Sequence, residues 1–80
     1  MRLSVLLFAS YADALGGPKI EIELPGGSTV ADLVATLRER AGSHVVPPRP
    51  LVAVNAEYAH PELLLNPTDE VAIIPPVAGG

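Results

Sequence analysis

Few residues in this chain could do chemistry. There is no cysteine, which removes a disulfide framework, a thiolate metal site and a thiol nucleophile together. The histidines, His44 and His60, sit in loop-forming sequence with no second ligand at metal-binding spacing, so they read as solvated loop residues. Ser4, Ser10, Ser28 and Ser43 have no partnered His and Asp, and hydrolase chemistry finds no support. Gly26-Gly27 stands before a helical pattern, but the spacing of a phosphate-cradling loop is missing and the pair reads as a turn. The chain ends in Pro75-Pro76-Val77-Ala78-Gly79-Gly80, an unusual sequence to follow a strand.

That ending leaves the body of the protein. Two prolines set two φ angles and favour an extended course away from the body. From Pro75 to Gly80 the chain can reach roughly 20 Å, at about 3.3 Å per residue. Gly79 and Gly80 lack side chains, so the terminus can thread a narrow channel into another protein's active site and bend there. A terminal Gly-Gly is ordinarily a frayed end. Here it follows an apolar strand directly, is stiffened at its base, and contains only small or apolar residues.

The body that must present this tail is small and apolar. Eighty residues form one domain near the lower limit for a self-sufficient core. Hydrophobic residues make up 49% and charged residues 18%, so apolar surface can exceed what one core hides, and such a surplus meets a partner. The net charge is −4 with no basic stripe, which argues against nucleic acid and for a basic protein surface as partner. The apolar run 3–9 is too short to span a bilayer and lacks a signal-cleavage pattern, so no membrane role and a cytoplasmic location are expected.

Residues 3–9 (LSVLLFA) read as a strand that is apolar on nearly every position. From Pro18 to Leu24, Ile20, Ile22 and Leu24 alternate with Lys19, Glu21 and Glu23, the period of a strand with one wet face. Leu15-Gly16-Gly17-Pro18 supplies the turn, giving an antiparallel hairpin with a longish loop. Thr29 can cap a helix with Asp32 three residues on, and Val30, Leu33, Val34 and Leu37 repeat at helical spacing. Arg38 and Arg40 suit its last turns, and Gly42 its end.

Residues 43–50 carry three prolines and form a stiff loop. A short strand, 51–54, turns through Asn55-Ala56-Glu57 into Tyr58. Residues 60–66 read as a loop or helical turn that places Leu63–Leu65 on the core, and Glu70–Ile74 is the last strand. The class is α+β: a mixed sheet of four to five strands with one main helix packed on one face. The first and last strands, apolar on both faces, belong side by side in the middle. Parity puts Leu3, Val5 and Leu7 on one face and Leu6 and Phe8 on the other, with Val71 and Ile73 opposed to Ala72 and Ile74. The helix can cover only one face, and the other is left for solvent or a partner.

The chain resembles the MoaD/ThiS family of ubiquitin-like sulfur carriers, most closely its MoaD branch. The residues that carry the resemblance are VLLFAS at 5–10, TVADLVATL at 29–37, VAVN at 52–55 and DEVAIIPPVAGG at 69–80, in family order over the whole length. The Pro-Pro before Gly-Gly separates that branch from ThiS-like carriers. The resemblance implies a β-grasp domain over residues 1–80 with 75–80 as an extended tail. It implies that an ATP-dependent, E1-like (MoeB-like) activating enzyme adenylates Gly80, converting a poor electrophile into a mixed anhydride. A sulfur donor then displaces the adenylate and leaves a thiocarboxylate. The tail would enter the large (MoaE-like) subunit of molybdopterin synthase, where the sulfur attacks a cyclic pyranopterin precursor. The chain would bind no cofactor itself; ATP is used by the activating partner.

A thiocarboxylate is ionised at neutral pH and nucleophilic, so it takes the part a Cys thiolate plays elsewhere. Acid–base and anion-binding groups would belong to the partners. By resemblance, Phe8, Tyr58 and Ile74 match an apolar patch presented to both partners. Where many members carry an Arg-Glu pair after the first strand, this chain has Ala12-Asp13, so no arginine contact carries over there. Two other roles share the tail argument: a carrier for thiamine, tungsten-cofactor or tRNA thiolation, and a ubiquitin-like modifier joined to lysines through Gly80.

Overall fold

The computed structural model describes residues 1–42 and 44–75. In chain order the elements are β1 (Arg2–Leu7), α1 (Ala9–Leu15), β2 (Lys19–Glu23), α2 (Val30–Ala41), β3 (Leu51–Val54), β4 (Glu57–Tyr58) and β5 (Glu70–Ile74). The strands form one five-stranded sheet in the order β2-β1-β5-β3-β4. β1 is antiparallel to β2 and parallel to β5, and β5 is antiparallel to β3. The two strands that are apolar on both faces are therefore neighbours near the centre, as the residue pattern predicts.

One face of this sheet is closed. Register aligns Val5 with Val71 and Val71 with Val54, and it aligns Leu7 with Ile73 and Ile73 with Val52. These residues join Leu3, Ile22 and the α2 residues Val30, Leu33, Val34 and Leu37 in one buried cluster. The helix starts where its sequence says it should. Thr29 Oγ1 accepts from the Asp32 N–H at 3.3 Å, and Asp32 Oδ2 accepts from the Thr29 N–H at 2.9 Å, a complete capping box. Gly42 closes the helix at φ 95°, donating its N–H to the Arg38 carbonyl.

Three elements depart from the pattern reading. The loop expected between the first two strands holds a second helix, α1, which buries Tyr11 and packs on α2. It is seven residues long, and its N-cap, Phe8, makes no side-chain cap. A helix this short has no autonomous stability and forms only because Tyr11 is packed. Second, β1 ends at Leu7 rather than Ala9, because Ala9 adopts φ 50° and starts α1.

Third, Leu63–Leu65 do not all reach the core: Leu65 is buried, but Leu63 is 42% and Leu64 60% exposed. The segment is not a helical turn but a strap along the start of α2. The Leu63 carbonyl accepts from Val30, the Pro61 carbonyl from Ala31, and Leu65 donates to the Ser28 carbonyl. Helix N-termini leave amide donors without partners, and here loop carbonyls satisfy them. With its backbone committed to the start of α2, the strap buries only the last of its three leucines.

Candidate functional site

The face of the sheet away from α2 has no element of the described chain packed across it, and its residues follow from register. Tyr58 lies opposite Ala53, Ala53 opposite Ala72, Ala72 opposite Leu6, and Leu6 opposite Lys19. At about 4.8 Å per strand this row spans roughly 19 Å. One step further along the strands, Ile74 pairs with Leu51. Phe8 is still extended, at φ −129° and ψ 152°, so strand alternation continues one residue past β1 and sets Phe8 on the same side as Leu6.

The result is a two-row apolar surface. Phe8 is 48%, Leu51 47% and Tyr58 74% exposed, while Leu6, Ala53, Ala72 and Ile74 are half-buried. The patch occupies only the end of the sheet from which the chain leaves β5. At the opposite end the same face turns polar. Ser4 aligns with Glu21 and Glu70, and Arg2 aligns with Glu23, with which it makes an exposed ion pair at 3.6 Å. A contiguous apolar surface bordered by charge is the ordinary composition of a protein-docking site. Glutamates on that border carry the chain's negative charge to the edge of the contact and favour a basic partner rim.

The three residues expected to contact partners, Phe8, Tyr58 and Ile74, thus share one face. Leu51 and Ala53 belong to it as well and were not anticipated. Their signal was present in the alternation of residues 51–54, where Val52 and Val54 are buried and the intervening side chains face outward. What local sequence does not contain is the pairing of Leu51 with Ile74, a contact across the sheet.

The start of β5 is held by a polar network. Asn55, at φ 52° in the β3–β4 turn, donates through Nδ2 to Asp69 Oδ1 at 2.9 Å and accepts the Glu70 N–H at 3.0 Å. Asp69 Oδ2 accepts the Asn66 N–H at 2.8 Å, and the Asn55 N–H donates to the Glu70 carbonyl at 2.8 Å. These bonds fix the register in which Ile74 meets Leu51. Pro75 ends β5, is half-buried and lacks the N–H a further ladder bond would need. Pro76, Val77, Ala78, Gly79 and Gly80 lie outside the described residues.

Other candidate chemistry stays unassembled. His44 and His60 are exposed, and among the described residues no cluster of His, Asp and Glu could hold a metal. Nor, among them, is any helix long and apolar enough to cross a membrane. Ala12 and Asp13, which stand in place of an Arg-Glu pair, lie within α1.

A mixed five-stranded sheet of this order with its long helix across one face is a ubiquitin-like β-grasp. The model of the ThiS family matches residues 5–80. The chain belongs to the ThiS family. It is 34% identical to the molybdopterin synthase sulfur carrier subunit of Arabidopsis thaliana, over all of this chain and 84% of that one. Among solved structures it resembles the putative molybdopterin converting factor subunit 1 of Pyrococcus furiosus, with TM-score 0.80, 27% identity and coverage of 96% and 99% of the two chains. It also resembles the small archaeal modifier protein 1 of Haloferax volcanii, with TM-score 0.78, 25% identity and coverage of 95% and 98%.

Proposed function

We propose that this chain is the sulfur-carrier subunit of a molybdopterin synthase. The observation that carries the reading is the full-length likeness to proteins named for that role. An apolar face bordering the exit of β5 supports it. In this reading the Gly80 carboxylate attacks the α-phosphorus of ATP on an activating enzyme, releasing pyrophosphate and forming an acyl-adenylate. A persulfide or sulfide donor attacks the acyl carbon and expels AMP; after reduction of any remaining S–S bond, a thiocarboxylate is left. In the large subunit its sulfur becomes bonded to the pterin precursor, and water returns the chain end to a carboxylate. Two such transfers supply both sulfurs of a dithiolene.

The division of labour follows from the residues present. The tail provides nucleophile and reach, and the open face provides docking energy. In this reading proton transfers and anion stabilisation fall to the partners. Phe8, Leu51, Ile74 and Tyr58 would serve the large subunit and the activating enzyme in turn, because one small carrier must present one tail to both.

Likeness to a small archaeal modifier protein supports a second reading, conjugation to lysines through Gly80. One experiment separates the two. Intact mass is followed while the protein is incubated with activating enzyme, ATP and a sulfur donor, and then with large subunit and pterin precursor. A gain of one sulfur in place of one oxygen, lost as molybdopterin appears, is the expected result. A gain without turnover points to another sulfur-carrier pathway. No gain, with isopeptide-linked ladders in extract, establishes the modifier and overturns the proposal.

A further inference from the structure

The large hydrophobic side chains exposed among the described residues are Phe8, Leu51, Tyr58, Leu63 and Leu64. The first three belong to the open face. Leu63 and Leu64 do not, yet they are continuous with it. Together with Tyr58 they line a recess of about 400 Å³ at the β4 edge of the sheet, whose wall includes Val54, Glu57 and Ala59. Tyr58 belongs to both surfaces. Because β4 is an edge strand, its tyrosine has a neighbouring strand on one side only, and it is 74% exposed. The apolar surface therefore runs from Ala53 across Tyr58 and around the edge onto the strap.

Backbone bonds hold the two leucines in water. The Leu63 carbonyl accepts the Val30 N–H at 3.0 Å, the Leu65 N–H donates to the Ser28 carbonyl at 2.9 Å, and Leu64 lies opposite Thr29 in a single antiparallel bridge. A backbone tied at these points has little freedom left to lose on binding. Charge on the border of the recess has one sign. Glu57 and Asp69 line it, and among the described residues no lysine or arginine does. Asp69 is engaged by Asn55 and Asn66, whereas Glu57 is exposed on the edge strand. The recess thus repeats the composition of the open face, apolar at its centre and acidic at its rim.

We propose that this recess is the outer part of the contact with the large synthase subunit, which covers the open face and wraps around the sheet edge onto Leu63 and Leu64. The inference rests on the carrier reading above. Continuity, size and charge select this occupant. A protein seated on Ala53 and Tyr58 meets the same tyrosine from the recess. A lasting subunit contact takes roughly 20–30 residues a side, more than the apolar residues of the open face and the tail supply. Apolar surface extends past the open face through Tyr58, while the β2 border carries Lys19, Glu21 and Glu23. A passing contact with the activating enzyme needs less area. A second copy of this chain, docked by two-fold symmetry, would set one acidic rim against another, whereas a basic rim on the large subunit complements both borders.

The test is calorimetric titration of the intact protein with the large subunit and, separately, with the activating enzyme, using Leu64→Asp and Glu57→Lys beside Phe8→Ala as reference. Leu64→Asp is expected to weaken large-subunit binding at least tenfold and Glu57→Lys at least threefold, with less than twofold change toward the activating enzyme in either. Both substituted residues are exposed, so circular dichroism should show intact folding in each. Leu64→Ser, which adds no charge to the strap, repeats the test if Leu64→Asp unfolds. Wild-type affinity in the Leu64 and Glu57 variants, with Phe8→Ala weakened, overturns the inference and leaves the carrier reading standing. Equal losses toward the activating enzyme overturn the assignment to the large subunit. No binding of the large subunit by the wild-type chain removes both the inference and the reading beneath it.

Discussion

Phe8→Ala tests the open face most directly, because the size of its effect can be worked out beforehand. Phe8 is 48% exposed in the free protein. A phenylalanine side chain carries about 200 Å² of contact area, so about 100 Å² awaits a partner. At about 25 cal/mol per Å², covering it contributes about 2.5 kcal/mol. Alanine keeps one carbon of the side chain, and the expected loss is about 2 kcal/mol, roughly thirtyfold in Kd. The half of the ring already covered supports the fold, so by the same arithmetic stability should fall by about 2 kcal/mol. Titration calorimetry against the large subunit reads the first quantity, and urea unfolding of the free protein reads the second. The backbone at Phe8 is extended, and alanine can adopt it without strain. A Kd within about twofold of wild type, with folding intact, would refute the docking role. A large stability loss with unchanged affinity would assign Phe8 to the core instead.

The β3–β4 turn gives two opposed expectations. Asn55→Ala removes two side-chain hydrogen bonds and leaves alanine at φ 52°, so unfolding stability should drop by about 2–3 kcal/mol. Ala56 occupies φ 69°, where glycine meets no penalty, and Ala56→Gly should raise stability by about 1 kcal/mol in the same assay. Tyr11→Phe should leave thermal stability unchanged or improve it by about 1 kcal/mol, since the Tyr11 hydroxyl is buried with no partner among the described residues. Burial also raises the Tyr11 pKa above its usual 10.0. The unfolded chain then loses this proton at lower pH than the folded one, so wild-type stability declines as pH climbs past 10 while the variant escapes that loss. A constant difference between the two proteins up to that pH and beyond would refute this account of Tyr11.

Much of this protein is written locally. The alternation through residues 19–23 made one wet strand, and Thr29 with Asp32 started the long helix because a capping box involves only neighbours four positions apart or fewer. Parity along β1 and β5 places Phe8 and Ile74 away from the helix-covered side, since strand side chains alternate whatever the neighbour. The chemistry of Gly80 is implied by the family resemblance, with which the absence of cysteine is consistent.

Other features depended on contacts between distant residues. Leu51 joins the open face only because β3 pairs with β5 in a register that sets it beside Ile74. Helix α1 packs on α2 and buries Tyr11 in the core, too weak a signal in seven residues for periodicity to reveal. The Leu63–Leu65 segment reads as core from its hydrophobicity, yet the amide donors at the start of α2 claim its backbone and turn two of its leucines outward. Local sequence determined the strands, the long helix and their wet and dry faces. Strand register, the unmet hydrogen bonds of a helix start and the closing of the core decided which of those faces stayed open, because each is a bargain between segments that the chain brings together only on folding.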